Sequence, residues 1–215
     1  MSRLQIMLDI AMCALWILTY ILVLIGTIKY RYPLISPITQ AIIAPFEWSV
    51  LFLQFNKLGG ISVNYVFIAY LFWAILEIAI FRAIVKTGYV KKHHVKPYIV
   101  MVILITMIML YLVVLKQIMF FFSYFNTFLG MLIWVGFICK KNYPMKGISL
   151  AVFIVKFIAD VLRAMVYWGK GSWLINVLSI LLPILEFFFI PVWFVRRKIS
   201  KRGDSLQRRV PYEPK

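Results

Sequence analysis

A carboxylate lies near the centre of an apolar stretch long enough to cross a lipid bilayer. The stretch PLISPITQAIIAPFEWSVLFLQF carries Glu47 between Phe46 and Trp48. A charged side chain at that depth costs about 2.5–3.5 kcal/mol on insertion scales, so such groups usually face an interior cavity. A carboxyl group kept from water among aromatic rings favours its protonated form. Glu47 is therefore a candidate proton donor. The alternative is a carboxylate paired with Arg163 or Lys156 for stability alone.

A second group of ionisable residues lies further along the chain. Lys156, Asp160 and Arg163 are spaced four and three residues apart, so they share one face of a helix. This spacing favours an internal ion-pair cluster over a catalytic set. Depths estimated from the helical rise place Lys156 and Glu186 about 18–20 Å below the outer face, and Asp160 and Glu47 about 12 Å below it. The cluster is expected to find a further partner in Glu186 or Glu47.

The remaining polar groups indicate less chemistry. Glu77 precedes Arg82 and Lys86, so a simple ion pair near the membrane surface is expected for it. The adjacent histidines of KTGYVKKHHVKP are interpreted as solvated loop residues rather than as a metal site, and the two cysteines have no metal-ligand partner at a recognisable spacing. The sequence predicts no metal and no cofactor.

The composition indicates what must position these residues. The chain is 64% hydrophobic and 14% charged, with a mean hydropathy of +0.93. Too few polar residues remain to cover a soluble globule. At about 20 apolar residues for each crossing, the sequence predicts an all-α polytopic membrane protein with seven transmembrane helices. The predicted runs are Ile10–Ile28, Leu34–Phe55, Ile61–Phe81, Tyr98–Leu115, Ile118–Cys139, Gly147–Trp168 and Trp173–Val195.

Lysines and arginines are distributed unevenly between the two sides of this arrangement. The N-terminus and the loops after the second, fourth and sixth runs hold four of them, whereas the other loops and the C-terminus hold eighteen. The positive-inside rule then predicts an outside N-terminus and a cytoplasmic C-terminus. The net charge of +17 is interpreted as topology and contact with membrane lipids, with no nucleic-acid partner. Residues 1–195 would form a seven-helix transmembrane domain, and residues 196–215 a basic cytoplasmic tail.

A weak internal repeat relates the second and third runs to the sixth and seventh. KYRYPLIS matches KKNYPMKGIS at one constant offset, and AILEIAIF matches PILEFFFI at nearly the same offset, which sets Glu77 against Glu186. Two parallel three-helix units joined by a fourth helix would produce this pattern. Such 3+1+3 bundles occur in small sugar and vitamin permeases. The alternative is a chance match of two hydrophobic stretches.

Short motifs along nearly the whole chain resemble the integral membrane terpene cyclases that close meroterpenoid and indole-diterpene rings in fungi and bacteria. The motifs are Thr19-Tyr20, Tyr32-Pro33-Leu34, Phe46-Glu47-Trp48, Trp73 with Leu76-Glu77 and Gly88, Gly147-Ile148-Ser149-Leu150, and Glu186. Two positions depart from the family pattern. Phe46 stands where the family usually has Trp, and Glu186 stands where it usually has Asp.

The resemblance implies an acid-initiated cyclisation without a metal. A buried acid protonates the terminal epoxide or alkene of a lipid-soluble prenylated substrate, and the carbocation closes rings in an apolar cavity. The implied catalytic residues are Glu47 and Glu186. The residues implied for substrate binding or for the charge network are Phe46, Trp48, Trp73, Glu77, Lys156, Asp160 and Arg163.

Two other functions stay open from the sequence. Paired polar groups at matching depth and the 3+1+3 pattern would suit a small-molecule permease or sensor. Internal charges that only hold helices together would suit an accessory subunit. The expected location is a bacterial cytoplasmic membrane.

Overall fold

The structure, a computed structural model, describes residues 3–57, 65–114, 119–140, 143–169 and 173–207. These residues form seven α-helices, and no strand occurs among them. The helices are α1 Arg3–Tyr30, α2 Pro37–Lys57, α3 Tyr65–Lys86, α4 Lys92–Val114, α5 Met119–Ile138, α6 Gly147–Tyr167 and α7 Trp173–Gln207. The predicted all-α class is confirmed for the described residues, and their seven helices correspond in order to the seven predicted runs.

Three stretches are long and apolar enough to cross a membrane by length and composition: Arg3–Tyr30, Tyr65–Lys86 and Trp173–Ile199. They support the prediction of a membrane protein. α6 is a continuous helix whose apolar sequence is interrupted by three charged residues, Lys156, Asp160 and Arg163. Five helices, α1 to α4 and α7, extend beyond their predicted runs. The extension is longest in α1, which begins before Ile10, and in α7, which continues beyond Val195. The predicted tail therefore begins inside a helix, and its last part, residues 208–215, lies outside the described residues.

The helices pack in a defined set of pairs. α1 packs on α3 and α6, α2 packs on α3, α4 and α5, and α7 packs on α5 and α6. Buried aromatic side chains fill the centre, among them Trp134, Phe153 and Phe189, whose rings contact one another. Large apolar side chains remain exposed on the outside of α4, which suits a helix in contact with lipid.

Close contacts fix the position of α2 relative to α1 and α5. The Leu34 carbonyl, just before α2, accepts hydrogen bonds from Trp134 Nε1 at 2.8 Å and from the Tyr143 hydroxyl at 2.9 Å. Gly26 in α1 leaves room for the Leu34 side chain, because a Cβ at that position would lie 2.1 Å from Leu34 Cδ1. These contacts hold the beginning of α2 against the bundle.

Candidate functional site

Glu47 lies in the buried interior of the bundle, on α2. Only 6% of the surface of this residue is exposed. Two residues earlier, Pro45 interrupts the helix interior, and because proline has no N–H, one helical hydrogen bond is missing there. The Tyr20 hydroxyl of α1 donates a hydrogen bond of 2.6 Å to Glu47 Oε1. Glu47 Oε2 is buried without a hydrogen-bond partner.

Glu47 lines a cavity of about 100 Å³ enclosed by α1, α2, α3, α5 and α6. Among the described residues, aromatic side chains form much of its wall: Trp16, Phe46, Tyr70, Trp73, Tyr124 and Tyr167. Their rings present negative faces that stabilise a cation. Trp73 lies between two other aromatic residues of this wall. Its ring centroid is 6.5 Å from that of Trp16 and 4.7 Å from that of Tyr70.

Several polar atoms of the cavity residues have no hydrogen-bond partner in the described part of the chain. Besides Glu47 Oε2, these are Trp73 Nε1, the Tyr124 hydroxyl and Asn126 Nδ2. Unsatisfied polar groups are uncommon in protein interiors, because each one loses its hydrogen bond to water. Their concentration on one cavity is the pattern expected where a ligand or ordered water supplies the missing partners.

The cationic end of Lys156 lies beside this cavity, behind Trp16. It forms ion pairs with Asp160, at 2.6 Å, and with Glu186 of α7. Its Nζ also lies 4.1 Å from the centroid of the Trp16 ring. The structure thus brings together Lys156, Asp160 and Glu186 as a buried ion-pair cluster. Glu186 is not among the described residues that line the cavity.

Arg163 lies on the cavity wall, one helical turn from Asp160. Its guanidinium faces the Tyr124 ring at 4.1 Å from the centroid, donates to Thr127 Oγ1 at 3.3 Å, and lies 3.9 Å from Asp160 Oδ1. Glu47 forms no ion pair among the described residues, so the pairing with Arg163 or Lys156 that the sequence left open is not formed. Arg163 of α6 and Glu47 of α2 thus line the same cavity without forming an ion pair with each other.

Glu77 departs from its expected environment. The residue is 2% exposed, and neither carboxyl oxygen has a partner at hydrogen-bonding distance. The expected ion pair with Arg82 or Lys86 is therefore wrong. Glu77 is buried because its position on α3 faces α1 and α2, which pack against α3 and carry the polar side chains of Tyr20 and Gln40 on that side. Gln40 Nε2 donates to the Glu77 backbone carbonyl at 2.7 Å.

Trp48 lies on a different surface from Glu47. It is 37% exposed and lines an apolar groove between α2 and α3, together with Phe52, Leu71 and Ile75. Consecutive residues on a helix point about 100° apart, so Phe46 and Glu47 face the cavity while Trp48 faces outward. The structure does not bring Trp48 to the cavity.

One end of the cavity is bordered by a hydrogen-bonded cluster around Asp9. The Tyr65 hydroxyl donates to Asp9 Oδ2 at 2.9 Å, and the Tyr167 hydroxyl donates to Oδ1 at 3.0 Å. Asp9 thereby joins α1, α3 and α6 at the end of the bundle where α1 begins. Because Tyr167 also lines the cavity, this cluster sets the shape of the cavity at that end.

Sequence reasoning singled out Glu47, Phe46, Trp73 and Arg163, and these four residues line one cavity. It assigned no role to several residues that share the cavity or contact Glu47, namely Tyr20, Trp16, Tyr70, Tyr124, Asn126 and Thr127. The adjacent amide and hydroxyl of Asn126 and Thr127 were a usable signal, since polar pairs are uncommon in so apolar a helix.

Comparison with known proteins gave no match for this chain among family models, curated proteins or solved structures.

Proposed function

We propose that the chain is a seven-span membrane enzyme that protonates a lipid-soluble prenylated substrate and directs the cyclisation of the resulting carbocation. The observation that carries this proposal is the position of Glu47. It is a buried carboxyl group with one oxygen held by Tyr20, the other unpartnered, and no ion pair among the described residues. A carboxyl group in that environment is suited to donate a proton to a reacting atom in the cavity.

The wall of the cavity supports the second part of the reaction. Carbocations are stabilised by the faces of aromatic rings and destroyed by water. Trp16, Tyr70 and Trp73 form one connected aromatic cluster on the cavity wall. About 100 Å³ accommodates one reacting isoprene unit rather than a whole prenyl chain. The terminal epoxide or alkene would therefore occupy the cavity next to Glu47, with the rest of the substrate outside it.

The packing of the helices supports a 3+1+3 architecture with seven spans. Exchange of the first three helices with the last three relates six of the seven packing pairs to one another, and the pair α2 and α4 has no equivalent. The pair α1 and α3 matches α5 and α7, the pair α2 and α3 matches α6 and α7, and the pair α1 and α6 matches α5 and α2. α4 is left as the connecting helix. The two equivalent tyrosines, Tyr32 and Tyr143, meet with their ring centroids 6.3 Å apart.

The proposal is tested by Glu47→Gln in membranes supplied with a prenylated aromatic that bears a terminal epoxide. The substitution keeps the size of the side chain and its hydrogen bond from Tyr20 but removes the acidic proton. We expect cyclised product to fall by about 10²–10⁴-fold, the usual contribution of a general acid. The matched control is Trp48→Phe, one residue away on the outer side of α2, which should keep wild-type turnover. Wild-type product from Glu47→Gln would refute the assignment.

A second function, small-molecule transport, is favoured by one observation. The cavity lies towards one end of the bundle, and a separate groove of about 750 Å³, lined by Arg31, Arg82 and Lys86, lies between α1 and α3 at the other end. Transporters built from repeated helix units place their sites between two such openings. Uptake of an unmodified solute into proteoliposomes, with no chemical change in that solute, would favour transport over cyclisation.

A further inference from the structure

Glu77 is a buried acid that the proposed cyclisation does not use. Among the described residues, neither of its carboxyl oxygens forms a hydrogen bond. Tyr20 and Glu77 each lie one helical turn after Trp16 and Trp73, whose rings contact each other between the packed helices α1 and α3, so the Glu77 side chain lies beside Tyr20. The Tyr20 hydroxyl already donates to Glu47 Oε1 at 2.6 Å. Tyr20 therefore has a carboxyl group on each side, one lining the cavity and one outside it. Leaving a buried carboxyl group unpaired is costly, which calls for an explanation beyond packing.

The side of this cluster away from the cavity leads towards water. The groove lined by Arg31, Arg82 and Lys86, which we name the basic groove, also includes Leu24 of α1 and Ala79 of α3. Leu24 follows Tyr20 by one helical turn, and Ala79 follows Glu77 by about half a turn, so the groove ends within about 6 Å of the cluster along the helix axes. Glu77 and Tyr20 lie between the basic groove and the cavity.

The second half of the chain carries a contrasting arrangement. The same spacing along the sequence relates Glu47 to Lys156 and Glu77 to Glu186. In the second half the pair is an ion pair between Lys156 and Glu186, which neutralises the acid. In the first half a second acid, Glu47, occupies the position equivalent to the lysine, and Glu77 keeps no cationic partner among the described residues. Of these two equivalent pairs, the pair in the first half therefore has acids without a cationic partner among the described residues, and these acids are available to exchange protons.

We propose that Glu77 is the relay residue that returns a proton to Glu47 after each reaction, through the Tyr20 hydroxyl and from water in the basic groove. The inference rests on the proposed role of Glu47 as proton donor. Once Glu47 has given its proton to the substrate, the unpaired Glu77 carboxyl group turns to donate a hydrogen bond to the Tyr20 hydroxyl oxygen. Tyr20 then passes its own proton to the Glu47 carboxylate and accepts one from Glu77. Glu77 then takes a proton from water in the basic groove. The proton lost by the final carbocation balances the one taken up.

The relay is tested without any substrate by infrared spectroscopy of the full-length protein in lipid nanodiscs, transferred from H₂O to D₂O. The carboxylic acid band that disappears in Glu47→Gln identifies the protonated Glu47. We expect deuterium exchange of this band to slow by at least about tenfold in Glu77→Gln and in Tyr20→Phe. Glu77→Asp, which keeps an acid, should exchange faster than Glu77→Gln, and Trp48→Phe should match the wild type.

Two results of the exchange experiment would overturn the relay. Wild-type exchange of the Glu47 band in Glu77→Gln would mean that Glu47 obtains protons from the cavity side. Absence of any carboxylic acid band lost in Glu47→Gln would mean that Glu47 is ionised, and would refute both the relay and the proton-donor role. Retained cyclisation by Glu47→Gln would refute the donor role of Glu47 and with it the return of a proton after each reaction. Slowed exchange of the Glu47 band in Glu77→Gln would in that case still show a proton path from Glu77 to Glu47.

Turnover gives a second, independent readout. Glu77→Gln begins with Glu47 already protonated, so it should form about one product molecule per protein in a rapid first phase and then slow down. Glu47→Gln should show no first phase. Equal slowing of the first and later turnovers in Glu77→Gln would indicate a purely structural role for Glu77 and would overturn the relay.

Discussion

The Tyr20 hydroxyl and the Glu47 carboxyl group are joined by a hydrogen bond of 2.6 Å between α1 and α2. These two helices do not form one of the main packing pairs of the bundle, so the bond is a specific link rather than a by-product of close helix packing. It fixes one oxygen of Glu47 and leaves the other unpartnered on a residue that lines the cavity. The acid is thus held in one orientation while it stays available to a ligand.

Removal of this hydrogen bond should affect turnover more than stability. In Tyr20→Phe, Glu47 Oε1 is left buried without its donor, which costs about 1–3 kcal/mol. Glu47 also loses its fixed orientation, so steady-state cyclisation should fall by at least about tenfold. Tyr111→Phe is the matched control, because Tyr111 is 70% exposed on α4. Thermal unfolding in detergent and product formation separate the two effects, and a collapse of stability without loss of specific activity would contradict this expectation.

Lys156 should be the most sensitive charged residue for stability. Lys156→Met leaves Asp160 and Glu186 buried without the cation that both contact, which costs about 3–5 kcal/mol. Removing all three charges together, as Lys156→Met with Asp160→Asn and Glu186→Gln, should recover most of that loss because no isolated charge remains. Thermal unfolding of the single and triple variants measures this directly. A triple variant no more stable than the single one would contradict a compensating charge cluster.

Two glycines should respond to the same substitution in opposite ways. Gly26→Ala places a Cβ 2.1 Å from Leu34 Cδ1, so the contact between α1 and the start of α2 must open, at a cost of about 1–3 kcal/mol. Gly136→Ala meets no atom within 4 Å and should be neutral or slightly stabilising, since alanine favours the helix. Unfolding temperatures of the two variants test the close approach at Leu34. Equal destabilisation by both would contradict it.

The proposed orientation can be tested with the two native cysteines. Cys13 is buried and Cys139 is exposed, and both are free thiols. With the N-terminus outside and seven spans, Cys139 lies on the cytoplasmic side. A membrane-impermeant maleimide should therefore label inverted vesicles and leave intact cells unlabelled. Cys139→Ser should abolish labelling, whereas labelling of Cys139 in intact cells would reverse the proposed orientation.

The residues that sequence reasoning placed correctly are those governed by local geometry. Lys156, Asp160 and Arg163 share a helix face because helical neighbours recur every three to four residues, and estimated depth matched Lys156 with Glu186, which it contacts. The cavity that collects Glu47, Phe46, Trp73 and Arg163 required helices from distant parts of the chain, and spacing within one helix contains no information on which helices pack together.

The sequence by itself determined an all-helical chain apolar enough for a membrane, because composition and run length depend only on the order of residues. Glu77 illustrates what required the tertiary structure. Its basic neighbours Arg82 and Lys86 predicted an ion pair, yet rotation of α3 in the bundle turns the carboxyl group inward to Tyr20 and Gln40. Charged residues close in sequence can lie on any side of a helix, and only packing against other helices decides which side is buried.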